Sequence, residues 1–151
     1  MLLLICIIAV CVANVVLGLF VYLNNPQKTN TRYFALLCFG LSAWAAFNYL
    51  ADYQLSNTLL WTRLTFFAVS FAIVFLNLFL NSFPQKIIKN RIFPVVAITL
   101  ASAVAIISLL PGFIPGVEIK DGVSNVLVGP LYYVFLGYML IFFIGLIYFI
   151  V

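Results

Sequence analysis

The sequence predicts an all-α protein, a polytopic bundle of five transmembrane helices with its amino terminus outside the cell. Hydrophobic residues make up 67% of the chain and charged residues only 7%, whereas soluble domains carry about 25% charged residues. The apolar residues form runs long enough to cross about 30 Å of hydrocarbon. These runs do not alternate apolar with polar residues, as the strands of a membrane barrel do, so helices are the predicted elements.

Each apolar run predicts one helix. The five predicted spans are Leu2 to Leu23, Tyr33 to Leu50, Thr58 to Phe83, Ile92 to Leu110 and Leu131 to Val151. The first span has no basic residue before it and no small-residue cleavage site after it, which indicates a retained helix and not a signal peptide. The last span is still apolar at its final residue. Residues 1–151 are therefore interpreted as one transmembrane region, the front part of a longer protein.

The basic residues predict the orientation of the bundle. Two loops that lie on the same side of the predicted membrane carry most of them, namely Lys28, Arg32, Lys86, Lys89 and Arg91. The opposite loops carry Lys120 and the acids Asp52, Glu118 and Asp121. Because Lys and Arg accumulate in cytoplasmic loops, the first side is assigned to the cytoplasm. The net charge of +4 then reflects topology, and no nucleic-acid partner is predicted.

Several kinds of chemistry are excluded by composition. The sequence contains no histidine, no glycine-rich phosphate loop and no pair of carboxylates inside a predicted span. The three cysteines all lie within predicted spans, without the loop spacing of a zinc site or a disulfide framework. The sequence therefore predicts no catalytic residue, no metal site and no cofactor in this chain.

Polar residues form a stripe along the third predicted helix. Arg63, Ser70, Asn77 and Asn81 are spaced so that they share one helical face. Ser70, Asn77 and Asn81 are predicted to make hydrogen bonds between helices, with Asn14 of the first helix as a candidate partner. Arg63 lies near the outer end, where a charge is less costly than at the bilayer centre. It is either an interfacial anchor beside Trp61 or part of an outward-facing pocket.

Small residues and one loop complete the pattern. Small side chains recur on one face of three helices, which predicts close packing in a compact bundle: Ala35, Ser42 and Ala46, then Ala97, Ala101 and Ala105, then Gly137 and Gly145. The outer loop from Pro111 to Pro130 contains a two-residue hairpin signal at Asp121-Gly122. This hairpin is interpreted either as a lid or as a connector. The loop is too short for a folded extracellular domain, so any ligand must bind among the outer halves of the helices.

Three stretches of the chain resemble the amino-terminal seven-helix membrane region of bacterial histidine kinases. They are "LGLFVYLNNPQKTNTRYFALLCFGLSAWAAFNYL", "LLWTRLTFFAVSFAIVFLNLFL" and "VGPLYYVFLGYMLIFFIGLIYF". The specific pieces are the Asn25-Pro26 loop before an aromatic-aliphatic helix that ends near Trp44, the Trp61 and Arg63 pair, and Gly129-Pro130 before the fifth helix.

The resemblance implies the input region of a two-component histidine kinase in the bacterial plasma (inner) membrane. It implies a lipid bilayer and a second copy of the chain as partners, and a response regulator that binds through a missing cytoplasmic part. The family has seven helices, so two helices and the catalytic output are expected to follow Val151. The alternatives are a small transporter, a structural subunit of a membrane complex, or the input region of a cyclic-dinucleotide enzyme.

Arg63 matches the Trp-x-Arg-Leu position of the family at the outer start of the third helix. Polar and aromatic residues are expected to converge on the same membrane face. The hypothesis is a pocket for a small or lipophilic ligand from the outer side, formed by Tyr53, Trp61, Arg63, Tyr132 and Tyr133. Asp52 or Glu118 is the alternative partner for the arginine.

Overall fold

The computed structural model describes residues 2–53, 57–82, 92–120 and 123–150. Within them the chain forms five α-helices and one antiparallel hairpin. The helices are α1 (Leu2–Asn24), α2 (Thr29–Tyr53), α3 (Thr58–Asn81), α4 (Ile92–Ser108) and α5 (Tyr132–Ile150), and the hairpin of β1 (Gly116–Lys120) and β2 (Val123–Leu127) lies between α4 and α5. The prediction of five helices is confirmed.

The second helix differs most from its predicted span. The second helix begins at Thr29 and not at Tyr33, and it ends at Tyr53 and not at Leu50. Its first turn is polar, so hydropathy does not detect it. Hydrogen bonds hold that turn, because the Thr31 hydroxyl donates to the carbonyls of Asn25 at 2.6 Å and Lys28 at 2.7 Å.

The fourth helix ends at Ser108 and not at Leu110, because the next two amides bond three residues back. Leu109 N–H donates to Ile106 O and Leu110 N–H to Ile107 O, which tightens the chain into a turn before Pro111. The fifth helix begins at Tyr132, one residue later than predicted. The predicted ends at Phe83 and Val151 lie outside the described residues.

Three of the helices, α1 to α3, are long and apolar enough to cross a membrane. The other two are apolar but shorter over their described residues, Ile92–Ser108 and Tyr132–Ile147. At 1.5 Å per residue, the described part of α4 spans about 25 Å, somewhat less than the hydrocarbon core.

The third helix is the centre of the bundle. It packs against α2, α4 and α5, whereas α1 packs against α2. The second and third helices are antiparallel, because Phe34 near the start of α2 lies 5.3 Å from Phe79 near the end of α3, and Phe47 lies 6.0 Å from Trp61 at the other end (ring centroids). The predicted small face of α4 is confirmed, since Ala97, Ala101 and Ala105 are buried in the bundle.

The hairpin packs against the bundle at the end where α2 finishes and α3 begins, which we call the hairpin end. Gly116 pairs with Leu127 and Lys120 with Val123, so the predicted hairpin is confirmed; its two connecting residues, 121 and 122, lie outside the described part of the chain. The strand β1 contacts α3, and Val117 packs against the core. The exposed acids Asp52 and Glu118 lie at this end. The prediction that it faces outward stays a prediction.

The first two helices approach closely through small residues. A Cβ atom built on Gly18 would lie 2.9 Å from Cys38 Cβ and 3.4 Å from Ala35 O. Two helical turns away, the Cys11 thiol donates to Ser42 O at 3.5 Å, and the Ser42 hydroxyl lies 2.9 Å from Cys38 O of its own helix and 3.2 Å from Cys11 O of α1. Close packing and interhelical hydrogen bonds therefore join α1 to α2, as expected where no hydrophobic force drives helices together in lipid.

The two glycines of the fifth helix do not share a packed face, contrary to the sequence-based expectation. A Cβ atom on Gly145 would lie 3.6 Å from Asn77 Oδ1 of α3, whereas no atom of the described residues lies within 4 Å of one on Gly137. The eight-residue spacing rotates the two positions apart by about 80°, enough to turn Gly137 toward open space.

Gly18→Ala and Gly137→Ala are expected to change stability in opposite directions. Alanine stabilises a helix by about 1 kcal/mol relative to glycine, and this gain is expected at both positions. At Gly18 the added methyl group meets Cys38 Cβ, and overpacking of this kind costs about 1–3 kcal/mol. Equilibrium unfolding in mixed micelles, followed by circular dichroism, should show a less stable Gly18→Ala protein and a Gly137→Ala protein at least as stable as wild type. Equal behaviour of the two variants would contradict the close α1–α2 contact.

Candidate functional site

Arg63 binds backbone carbonyl groups at the hairpin end of the bundle. Its Nε and Nη2 atoms donate to Ile114 O at 3.3 and 2.6 Å, and Nη1 donates to Leu109 O at 3.3 Å. The last carbonyls of a helix have no partner within the helix, and their dipoles favour a positive charge. Arg63 supplies both a donor and a charge just beyond the end of α4. We call Arg63 with these two carbonyls the arginine clamp.

A serine strengthens the same junction between α3 and α4. The Ser108 side chain is fully buried, and its hydroxyl lies 2.7 Å from Ala105 O and 3.4 Å from Arg63 O. The guanidinium of Arg63 therefore bonds to the chain that follows α4, and its main-chain carbonyl lies within hydrogen-bond distance of the last turn of α4. The partners of Arg63 have no sequence signal, because they are main-chain carbonyls.

The chain after α4 carries a phenylalanine into the bundle. We call residues 109–114 the strap. Phe113 in the strap has no exposed surface, and its ring centroid lies 5.2 Å from Phe66 of α3, 5.6 Å from Tyr132 and 5.9 Å from Phe135 of α5. Edge-to-face contacts such as those of Phe113 with Phe66 and Phe135 add to the stabilisation from burial. Phe113 thus joins α3 to α5.

Sequence reasoning missed Phe66, Phe113 and Phe135, although one signal was present. Phe113 stands in "PGFIP", an apolar pair between two prolines in a loop that is otherwise more polar. Both members of that pair, Phe113 and Ile114, are fully buried. An apolar residue in a surface loop close to helix ends is a reason to expect that the loop folds inward.

Backbone hydrogen bonds tie the strap to the start of α5. Gly129 N–H donates to Phe113 O at 2.8 Å, and Leu131 N–H donates to Gly112 O at 3.2 Å. A Cβ atom on Gly129 would lie only 2.1 Å from Gly112 O, so a side chain at this position displaces the neighbouring backbone. Glycine is required at residue 129 because two main-chain segments touch there.

The structure places the five predicted ligand-binding residues in different surroundings. Arg63 and Tyr132 both contact the strap. Trp61 lies two residues before Arg63 and therefore about 200° away around the helix, and its ring stacks on Phe47 of α2. Tyr53 stacks on Tyr49 and is exposed, and Tyr133 is 69% exposed. The strap brings two of the five together, and ligand binding by these residues stays a prediction.

Trp61 has one polar atom with an unusual environment. Among the side-chain nitrogen and oxygen atoms of the described residues, its indole Nε1 is the buried atom without a hydrogen-bond partner. An unpaired buried donor costs about 1–3 kcal/mol, so this nitrogen lowers the stability of the fold.

The polar stripe of α3 bonds mainly to its own helix. Ser70 donates to Phe66 O at 2.8 Å, Asn77 to Ile73 O at 2.9 Å and Asn81 to Asn77 O at 2.8 Å. These bonds satisfy the polar side chains within the apolar bundle. Asn14 is half-buried on α1, which packs against α2. The interhelical role predicted for the four residues is not established by these bonds.

The third and fifth helices meet along this stripe in parallel register. The Tyr138 hydroxyl of α5 donates to Ser70 O, and seven residues further along both helices Gly145 faces Asn77 Oδ1. A seven-residue repeat on both partners is the spacing of a left-handed helix pair. The stripe therefore marks the α3–α5 seam.

The fold is a polytopic helical membrane bundle, and the described residues hold no group of three or more acidic, cysteine or histidine side chains that would suit a metal ion. Within this class, the chain belongs to the family described as the N-terminal 7TM region of histidine kinase, which matches residues 2–151. The predicted resemblance is confirmed. The region is a non-catalytic, membrane-embedded part of such kinases. No curated protein and no solved structure matches the chain.

Arg63→Gln is expected to lower the free energy of unfolding by about 1.5–3 kcal/mol, because the substitution removes hydrogen bonds from a charged donor and leaves two carbonyls open. Arg63→Lys keeps the charge without the planar fork and should lie between wild type and Arg63→Gln. Arg32→Gln is the matched control, since Arg32 Nε also donates to a carbonyl, that of Pro26 at 2.7 Å, from an exposed position at the opposite end. Equal losses for Arg32→Gln and Arg63→Gln in a denaturant titration would argue against the clamp.

Tyr138→Phe is expected to cost about 0.6 kcal/mol, and at most about 1.7, which is the range for hydrogen bonds between membrane helices. The ring of Tyr138 stays in the aromatic core, so the hydroxyl bond to Ser70 O is the main loss. Tyr133→Phe is the control, because Tyr133 is the most exposed tyrosine of α5 among those described. Unfolding curves measured side by side test this; identical midpoints for both variants would show that the Tyr138 bond contributes nothing.

Proposed function

We propose that this chain is the input region of a sensor histidine kinase in the bacterial plasma membrane. The observation that carries the proposal is the family match over residues 2–151. The region detects a ligand from the outer side or a change in the membrane, and passes the change to a cytoplasmic kinase that lies outside this chain. A second copy of the chain and a response regulator, bound by that kinase, are the proposed protein partners.

The hairpin end is the proposed receiving site. It combines the arginine clamp, the strap and the aromatic side chains of Phe66, Tyr132 and Phe135 in one region. The two loops of this chain at the hairpin end, α2–α3 and α4–α5, are too short for a folded sensor domain, so a stimulus that reaches this end acts on these groups or on the lipid around them.

Transmission follows from a shift between two arrangements of the helices. A stimulus moves the equilibrium only to the extent that it binds one arrangement better than the other. A tenfold shift requires about 1.4 kcal/mol of differential binding, which is within reach of a few contacts at the hairpin end. The transporter, subunit and cyclic-dinucleotide alternatives have no comparable support from a feature of this bundle.

The proposal is tested with the complete gene product in proteoliposomes. We expect the reading frame that contains this chain to encode a phospho-accepting histidine helix and an ATP-binding domain, and the purified protein to label with the γ-phosphate of ATP and transfer it to a response regulator. Replacement of the phospho-accepting histidine is the control and should abolish labelling. A reading frame without these domains overturns the kinase assignment.

A second experiment tests whether the labelling rate of the kinase depends on the membrane bundle. The cytoplasmic part alone should keep its catalytic activity but lose any response to lipid composition that the complete protein shows. A complete protein whose labelling rate is the same in all bilayers, and the same as that of the cytoplasmic part, would argue against an input role for the bundle.

A further inference from the structure

The fifth helix has little of its own that fixes its depth in a membrane. All residues of α5 are apolar, aromatic or glycine, and many side chains on its outer surface are exposed, among them Leu136, Leu140, Ile141, Ile144 and Ile147. Such a surface is equally soluble at different depths in hydrocarbon, so tilt and depth depend on packing and on anchors at the ends. Besides the tyrosines of its first turn, the described anchors of α5 are its contacts with α3, the strap and, less extensively, α4.

Those anchors form one connected path. Leu131 N–H, directly before α5, bonds to Gly112 O of the strap. Phe113 packs against both Phe66 and Phe135, whose rings also contact each other at 5.2 Å. The strap is in turn held to α3 by the Arg63 bonds to Leu109 and Ile114. Arg63 therefore acts on the start of α5 through two intervening segments of main chain, with no direct contact needed.

Beyond the strap, α5 contacts α3 directly along the parallel seam between the two helices. Tyr138 bonds to Ser70 O, and one heptad later Gly145 faces Asn77. A Cβ atom at residue 145 would lie 3.6 Å from Asn77 Oδ1, which is an ordinary van der Waals distance. At this point α3 and α5 are therefore close together without interlocking side chains. The bond from Tyr138 to Ser70 O is the hydrogen bond that the seam contributes to the register of α5.

We propose that the arginine clamp and the strap set the register of α5 against α3, and that release of the clamp shifts α5 along this seam. Arg63 and Phe113 are positioning residues in this device, and α5 is the element that carries the displacement to the opposite end of the bundle. The inference rests on the proposed function only where it calls the displacement a signal; the mechanical link itself is a property of this chain.

The link is measured by disulfide formation, which needs no kinase activity. Cysteines introduced by Asn77→Cys and Gly145→Cys report the α3–α5 register, in a background where Cys6, Cys11 and Cys38 are replaced by alanine. A second pair, Gly40→Cys and Ala72→Cys, reports the α2–α3 contact, because a Cβ atom on Gly40 would lie 3.4 Å from Ala72 Cβ. That distance is close to the range found in disulfides. Both pairs are oxidised in membranes that contain the complete protein.

Arg63→Gln is expected to slow crosslinking of the 77/145 pair by about tenfold, which corresponds to ~1.4 kcal/mol. Crosslinking of the 40/72 pair should stay unchanged, and Arg32→Gln should change neither pair. An unchanged 77/145 rate in Arg63→Gln overturns the proposal. If Arg63→Gln slows both pairs, the arginine supports the whole bundle, and the proposal is then decided by a second variant.

That second variant is Gly129→Ala, which disturbs the strap without touching α3. Its Cβ atom would meet Gly112 O and break the backbone bonds before α5. Selective slowing of the 77/145 pair supports the link, whereas equal slowing of both pairs, or none, overturns it. In the complete kinase, a changed register with an unchanged labelling rate would leave the mechanical link intact and refute only its role in signalling.

Discussion

The carbonyl groups beyond the last turn of α4 need hydrogen-bond donors at a membrane boundary. The structure of the hairpin end depends on which donors they find. Hydrocarbon offers a backbone group no partner, and an unpaired group costs several kcal/mol there. Arg63 meets the need with a charged, forked donor that reaches two carbonyls on both sides of a turn. Once those carbonyls are held, the strap between them has a defined path, and Phe113 is directed inward.

From that path follow the burial of Phe113 and the position of α5. The ring of Phe113 packs against Phe66 of α3 and Tyr132 in the first turn of α5, which also contact each other. Gly112 and Gly129 then allow the two ends of the hairpin loop to meet at the distance of a hydrogen bond. A basic residue, an aromatic residue and a glycine pair thus act as one unit, although they are distant in sequence. The family assignment gives this unit a place in a signalling protein, at the end where a stimulus is expected.

The sequence pointed to Arg63 but not to its role. A charge near the end of an apolar helix predicts an anchor or a pocket, and both readings look for a partner among headgroups, ligands or acidic side chains. The structure supplies main-chain carbonyls as partners instead. The pocket hypothesis also placed Trp61 beside Arg63, yet helical geometry turns the two toward different neighbours, α2 and the strap. Likewise Ser70 lies on the seam with α5, but the bond across it comes from Tyr138 to the Ser70 carbonyl.

The sequence by itself determined the membrane class, the five helices, the hairpin and the buried small face of α4, because hydropathy and turn chemistry are local properties carried by side chains. It misjudged the polar first turn of α2 and the end of α4, where backbone hydrogen bonds and not apolarity define the helix. Only the tertiary structure decided which carbonyls Arg63 holds, how Phe113 enters the core and which register α5 adopts against α3. Every residue carries a main-chain carbonyl group, so the sequence does not show which carbonyl accepts the bond from Arg63. The path of the folded chain decides which one lies within reach.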